Sequence, residues 1–247
     1  MRVEFDGICD KGLEREINQD SIYMKSKGET TLLVVADGMG GHVKGERASQ
    51  EITDGFAKWY EAFDESTYEG DFNQMVDDIN SLLNDINSTV YAFYDKYTIC
   101  GSTVVALFIY QNQYAVLWAG DSRAYMKKGW CFKQLTTDDV WENQPEIKKN
   151  LPKKLIKDSV NLGKLVNSIG IYDKSNINVK TGTIKSGTRF LICSDGLYKM
   201  CSDPEIKEMM KSYIGNDTGK EQIKKYLDTV YKYGAGDNVS YIVAICN

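Results

Sequence analysis

Four aspartates stand where short apolar runs meet glycine. Residues 32–36 lead into Asp37-Gly38, 114–119 into Gly120-Asp121 and 189–194 into Asp195-Gly196, while Gly236-Asp237-Asn238 precedes the apolar run 239–246. Short, apolar, glycine-punctuated runs read as buried strands. The first three aspartates are then expected on tight turns at strand ends and the fourth at a strand's start, all displayed at the rim of a rigid sheet. Carboxylates that share such a rim repel one another unless cations sit among them. The chemistry implied is a metal–carboxylate site and metal-assisted hydrolysis. Each Asp-Gly pair alone is more often an ordinary turn, so the signal is their joint occurrence.

The other donors narrow the choice. The chain has a single histidine, His42, which excludes an HExxH motif and a multi-histidine zinc site. Oxygen-only donors suit Mg²⁺ or Mn²⁺. A Ser-His-Asp triad would have to use His42, and no GxSxG elbow accompanies it. The glycines after Asp37 do not form a dinucleotide fingerprint, because Val43 occupies the third spaced position, and no Walker lysine-serine pair follows. Glycine at position 38 instead lets a main-chain carbonyl turn toward an ion held by its neighbour, with a plain strand-to-helix turn as the alternative. The six cysteines include no CxxC pair and read as reduced, small buried hydrophobes.

Positioning these residues requires a substantial core, and 247 residues with 42% hydrophobic and 26% charged content can supply one. A formal net charge of -5 disfavours a general nucleic-acid or anionic-membrane binder. No apolar run approaches the roughly 20 residues that span a bilayer, and the N-terminus lacks an apolar signal core. A cytoplasmic monomer is the expectation.

Strands are predicted at 2–10, 21–25 and 31–36. Helices follow from about residue 45, with Ala48, Ile52, Phe56, Trp59 and Phe63 at spacings of three and four, and again from Phe72 to Phe93. A hairpin at 103–110 and 114–118, a strand at 124–127, strands at 177–184, 188–194 and 239–246, and helices at 204–213 and 219–232 complete the pattern. Blocks of strands with helices inserted in pairs argue for an α+β fold of two mainly antiparallel sheets flanked by helix pairs, in one domain over 1–247. Residues 138–168, with two of the three prolines, are expected to form a flap beside the sheets.

The motifs together resemble the metal-dependent protein phosphatase 2C family in its short bacterial form. The series runs from Arg15-Glu16-Ile17-Asn18-Gln19-Asp20 through Asp37-Gly38-Met39-Gly40-Gly41-His42, Gly45 and Ala48-Ser49. It continues with Gly101-Ser102-Thr103, Gly120-Asp121-Ser122-Arg123-Ala124-Tyr125 and Leu135-Thr136-Thr137-Asp138, then Asn167-Ser168-Ile169-Gly170, Ser194-Asp195-Gly196-Leu197 and Gly236-Asp237-Asn238. Single motifs are unspecific, whereas the ordered series over nearly the whole chain is specific.

The resemblance implies a four-layer αββα sandwich and a protein serine/threonine phosphatase that opposes a bacterial serine/threonine kinase. It further implies two Mn²⁺ or Mg²⁺ ions bridged by Asp37, with the Gly38 carbonyl on one and Asp195 and Asp237 on the other. Asp20 would act through metal-bound water, and Asp121 with Asp195 would serve a third, weaker metal position. Arg15 would grip the substrate phosphate, for which a planar fork of donors is suited; its bland alternative is a surface salt bridge to Glu14 or Glu16. Hydrolysis would proceed by in-line attack of a hydroxide between the metals, with no phosphoenzyme. The leaving oxygen's proton would come from water or from His42.

Two departures stand out. Gln19 replaces a common glutamate, leaving a hydrogen-bonding role only, and Asp139 replaces a common histidine, making the flap entry acidic. Within the flap, Lys148, Lys149, Lys153, Lys154, Lys157 and Lys164 face one acid, Asp158, over residues 148–164. This run is either a solvated helix face or a patch that steers phosphopeptides. Two other functions stay open: a non-catalytic phosphatase-like binding module, and a phosphatase of small phosphate esters.

Overall fold

The computed structural model describes residues 1–40, 44–93 and 100–247. Its strands are Val3–Asp10 (β1), Asp20–Lys27 (β2), Thr30–Gly40 (β3), Cys100–Ser102 (β4), Val104–Tyr110 (β5), Gln113–Ala119 (β6), Arg123–Lys128 (β7), Cys131–Gln134 (β8), Asn178–Thr183 (β9), Thr188–Cys193 (β10) and Val239–Cys246 (β11). Its helices are Lys44–Ala62 (α1), Phe72–Tyr91 (α2), Pro145–Asn150 (α3), Lys153–Lys157 (α4), Asp195–Tyr198 (α5), Asp203–Ser212 (α6) and Gly219–Lys232 (α7).

One sheet has the order β1-β11-β10-β7-β8 and the other β2-β3-β5-β6-β9, with β4 paired to β3. Every pairing is antiparallel. Period-two alternation divides each central strand between two cores. On β3, Leu32, Val34 and Ala36 pack under α1 and α2, whereas Leu33 and Val35 face the other sheet. On β11, Ile242, Ala244 and Cys246 meet that inter-sheet core, while Tyr241, Val243 and Ile245 pack under α6 and α7. Three stacked cores make four layers, helices–sheet–sheet–helices. Because both faces are buried, these strands read as continuous apolar runs.

α1 seats Ala48, Ile52, Phe56, Tyr60 and Phe63 on its sheet, with Trp59 only partly covered. The Asp71 carboxylate caps α2 by accepting from the backbone N–H groups of Asn73 and Gln74.

Two expectations need correction. Asp37-Gly38 is not a turn: β3 runs on to Gly40, with Asp37 opposite Asp20 and Gly38 opposite Ser102. A Cβ on Gly38 would stand 2.1 Å from the Gly45 carbonyl oxygen, so glycine is required here for the close approach of α1. Cys131 is exposed on the edge strand β8, unlike the buried Cys193, Cys201 and Cys246.

The flap is a closed excursion holding α3 and α4. An isolated bridge joins Val140 to Leu165, and the Trp141 N–H donates to the Lys164 carbonyl at 2.8 Å. Among the described residues no helix is long and apolar enough to cross a membrane.

Candidate metal centre

Both sheets present the same end to one rim. Asp20 opens β2 directly across from Asp37 on β3. Asp195 follows β10, and Asp237 precedes β11, the adjacent strand of the other sheet. Asp121 lies on the crossover from β6 to β7, where the chain passes between sheets.

Asp37 is tied at its backbone: its N–H donates to the Thr103 hydroxyl at 3.3 Å, and its carbonyl accepts from the Thr103 N–H at 2.9 Å. Burial, followed by the charges of Asp20, Asp195, Asp121 and Asp237, pushes its carboxyl well above the usual range. Asp20 is 7% exposed, and its Oδ2 accepts from the Ser194 hydroxyl at 2.8 Å. Its Oδ1 is buried with no hydrogen-bond partner among the described residues. Burial raises Asp20 to about 7; Asp195 and Asp237 raise it too, against the favourable hydroxyls of Ser240 and Ser194. The Ser240 hydroxyl stands near without meeting hydrogen-bond geometry. Asp121 is raised to about 6, by burial first and then by Asp195, against Lys199 and the Tyr198 hydroxyl.

The four partner carboxylates therefore lie within electrostatic reach of Asp37. They do not converge as free ligands, however. Among the described residues no three His, Cys, Asp or Glu side chains stand together closely enough to hold an ion. Arg15 makes a two-pronged pair with Asp237, Nη2 to Oδ2 and Nε to Oδ1, each at 3.0 Å. Among the described residues it forms no ion pair with Glu14 or Glu16. Lys199 pairs with Asp195, four residues before it. His42 lies outside the described residues.

The donor set nonetheless fits hard divalent cations. An orphaned buried carboxylate oxygen beside a mutually repelling cluster of oxygen donors is the environment that Mg²⁺ or Mn²⁺ relieves.

Residues around the cluster hold it in place, several of them without a role foreseen from sequence. Asn238 accepts from the Gln19 N–H at 2.9 Å and donates to the carbonyls of Lys11 and Ile17 at 2.9 and 3.0 Å. It thus fastens the segment that carries Arg15. The Gln19 side chain donates from Nε2 to the Gly40 carbonyl at 3.5 Å, while its backbone carbonyl accepts from the Gly38 N–H and the Ser49 hydroxyl. Arg123 forks onto Asp138, with Nη2 2.7 Å from Oδ2, and lies 3.5 Å over the Tyr198 ring, whose hydroxyl donates to Asp121 at 3.1 Å. Asp139 accepts from the Gly120 N–H, Asn167 and Asn178, so it knots β6, the flap's end and β9. Ser122 and Ser194 are buried and hydrogen-bonded, with no nucleophile's exposure. The i,i+4 spacing of Asp195 and Lys199 was the available sequence signal for that pair.

A family model described as protein phosphatase 2C matches residues 14–230. The chain is 28% identical over 258 residues to the protein phosphatase PhpP of Streptococcus pneumoniae, covering 99% of this chain and 98% of that protein. The solved serine/threonine phosphatase Stp1 from Staphylococcus aureus has the same fold, with a TM-score of 0.85 at 23% identity over 100% of this chain and 96% of that one. So does the catalytic domain of PstP in complex with 2 manganese ions, at a TM-score of 0.79, 24% identity, and 98% and 97% coverage. The chain belongs to the protein phosphatase 2C family.

Proposed function

We propose that this chain is a metal-dependent protein serine/threonine phosphatase that hydrolyses phosphoserine and phosphothreonine without a phosphoenzyme. The observation that carries the reading is that Asp20, Asp121, Asp195 and Asp237 lie within electrostatic reach of Asp37 at one rim, beside the orphaned Oδ1 of Asp20. Asp37, the Gly38 carbonyl, Asp195 and Asp237 would hold two Mn²⁺ or Mg²⁺ ions, with Asp20 and Asp121 in outer or weaker positions. When bound, such ions lower the pKa of water and neutralise charge on phosphoryl oxygens.

The chain's own residues do the rest. Arg15, half exposed, is held beside the cluster by the Asn238 clamp, and its fork suits two phosphoryl oxygens once Asp237 has exchanged it for another cation. An exchange of this kind is cheap, because a half-exposed ion pair contributes little. The acid rim disfavours a bare alkoxide, so the seryl or threonyl oxygen would leave as a neutral alcohol that takes its proton from water or from His42 as the P–O bond breaks. Phosphorylated proteins in a bacterial kinase pathway are the substrates that suit this reading.

The test is hydrolysis of a phosphothreonine peptide in the presence and absence of Mn²⁺, with Asp37→Asn as control. Activity that needs the ion and is lost in the variant supports the proposal. Turnover that survives Asp37→Asn overturns it. One observation favours a second reading, a non-catalytic binding module: Arg15 and Lys199 already occupy two of the four carboxylates. Absence of Mn²⁺ binding by the intact chain would select that reading.

A further inference from the structure

We propose that a basic cleft on the outer face of the β1-side sheet, away from the acidic rim, docks an acidic stretch of the phosphoprotein being dephosphorylated; the proposal rests on the function given above. Lys127 on β7 lies directly across from Arg189 on β10. Both point toward α6 and α7, because Tyr125 and Leu191, two residues away on the same strands, belong to the core beneath those helices. Like charges opposite one another destabilise a sheet.

Lys207 and Lys211, one turn apart on α6, add two more cations. Together with Lys127, Trp130, Pro204 and Glu208 they line a cleft of about 530 Å³. Among the described residues Glu208 is the single acid of the lining, and Lys211 engages it at 3.2 Å. Among the described residues, Lys127, Arg189 and Lys207 form no ion pair. Lys127 is only 7% exposed: its stem is packed and its ammonium reaches the cleft, held at 2.9 Å by the Gly129 carbonyl. Desolvation, then Arg189, Lys207 and Lys211, depress its pKa. At the rim, Trp130 is 96% exposed on the β7–β8 turn.

Cations gathered in excess of carboxylates are relieved by an anion, as gathered carboxylates are relieved by a cation. The rest of the chain is net acidic, so this local field is where an acidic polypeptide is attracted rather than repelled. The exposed indole offers the flat apolar contact that protein surfaces use as an anchor. Arg189 lies six residues before Asp195, which sets the cleft roughly 20 Å from the acid rim along the strand. About six extended residues bridge that gap, so the docked run would sit at least that far from the phosphothreonine.

Two phosphothreonine peptides test this, one with a run of glutamates beginning about seven residues from the phosphorylated residue, the other with serines in their place. In Lys207→Glu/Lys211→Glu, KM for the glutamate peptide is expected to rise about tenfold, with kcat, the serine peptide and an aryl phosphate unaffected. An unchanged KM for the glutamate peptide overturns the proposal. Hexaglutamate without any phosphate supplies a readout independent of phosphatase activity. It should change tryptophan fluorescence saturably in the intact chain, and the change should vanish in Trp130→Ser and in the doubly reversed variant. No response from the intact chain would overturn docking even if hydrolysis proceeds normally. Should hydrolysis fail while hexaglutamate still binds, the function is wrong and the cleft stands.

Discussion

Asp20 and Asp37 face each other across β2 and β3, within electrostatic reach of further carboxylates, and this placement has measurable consequences. Asp20 is raised to about 7 and Asp121 to about 6, both upward from the ordinary carboxylate range. Between about pH 4 and those values the folded chain holds protons that the unfolded chain has released. The contribution of these two acids to metal-free stability is therefore full below about pH 4 and is lost as pH rises through about 7. The melting temperature of chelator-treated protein should fall between about pH 5 and pH 8; a rise over that interval contradicts the burial of uncompensated acids. Asp37→Asn removes one of the repelling charges and the central donor. It should stabilise the metal-free chain while lowering Mn²⁺-dependent turnover by more than the roughly 10–100-fold typical of losing an outer partner. A variant that loses turnover and unfolds at the same time would place Asp37 in the fold rather than in the chemistry. Asp195→Asn, read by turnover alone, should behave in the same direction.

At the scale of elements, the rim depends on close backbone contacts. Gly38→Ala would drive a methyl into the Gly45 carbonyl where β3 meets α1, and a loss of about 1–3 kcal/mol in denaturant unfolding is expected. A neutral result would mean that α1 shifts freely. Most of these elements were legible in the sequence because β3, β5, β6, β10 and β11 are buried on both faces, so their apolar runs are unbroken. The exceptions have local causes. β8 is a four-residue, half-exposed edge strand whose alternation is too short to read, and β4 is three residues long. Asp37-Gly38-Met39-Gly40 has the composition of a turn, yet β4 and β2 hold it extended, and such pairing partners are invisible in a local window. The acids of the site could be read from their position beside glycine. The partner of Asp237 could not: Arg15 reaches it from the far end of the chain, a contact only the folded topology creates.

The whole molecule is two sheets pressed together so that distant ends meet. The inter-sheet core of Leu33, Val35, Phe190, Ile192, Ile242 and Ala244 fixes the β2–β3 rim against the β10–β11 rim. An ion binding across that seam would couple to global stability, because the unfolded chain has no such seam. Saturating Mn²⁺ at about a hundred times its Kd should therefore add about 2.7 kcal/mol. Thermal unfolding with and without chelator reads this directly, and a melting temperature indifferent to the ion argues against a seam-spanning centre.

The measurement that bears most directly on the central claim is the number of Mn²⁺ ions bound at saturation, by calorimetric titration of the intact chain and of Asp37→Asn. The account predicts about two tightly bound ions in the intact chain and a loss of tight binding in the variant. Failure of the intact chain to bind Mn²⁺, or an unaltered isotherm in Asp37→Asn, would contradict it.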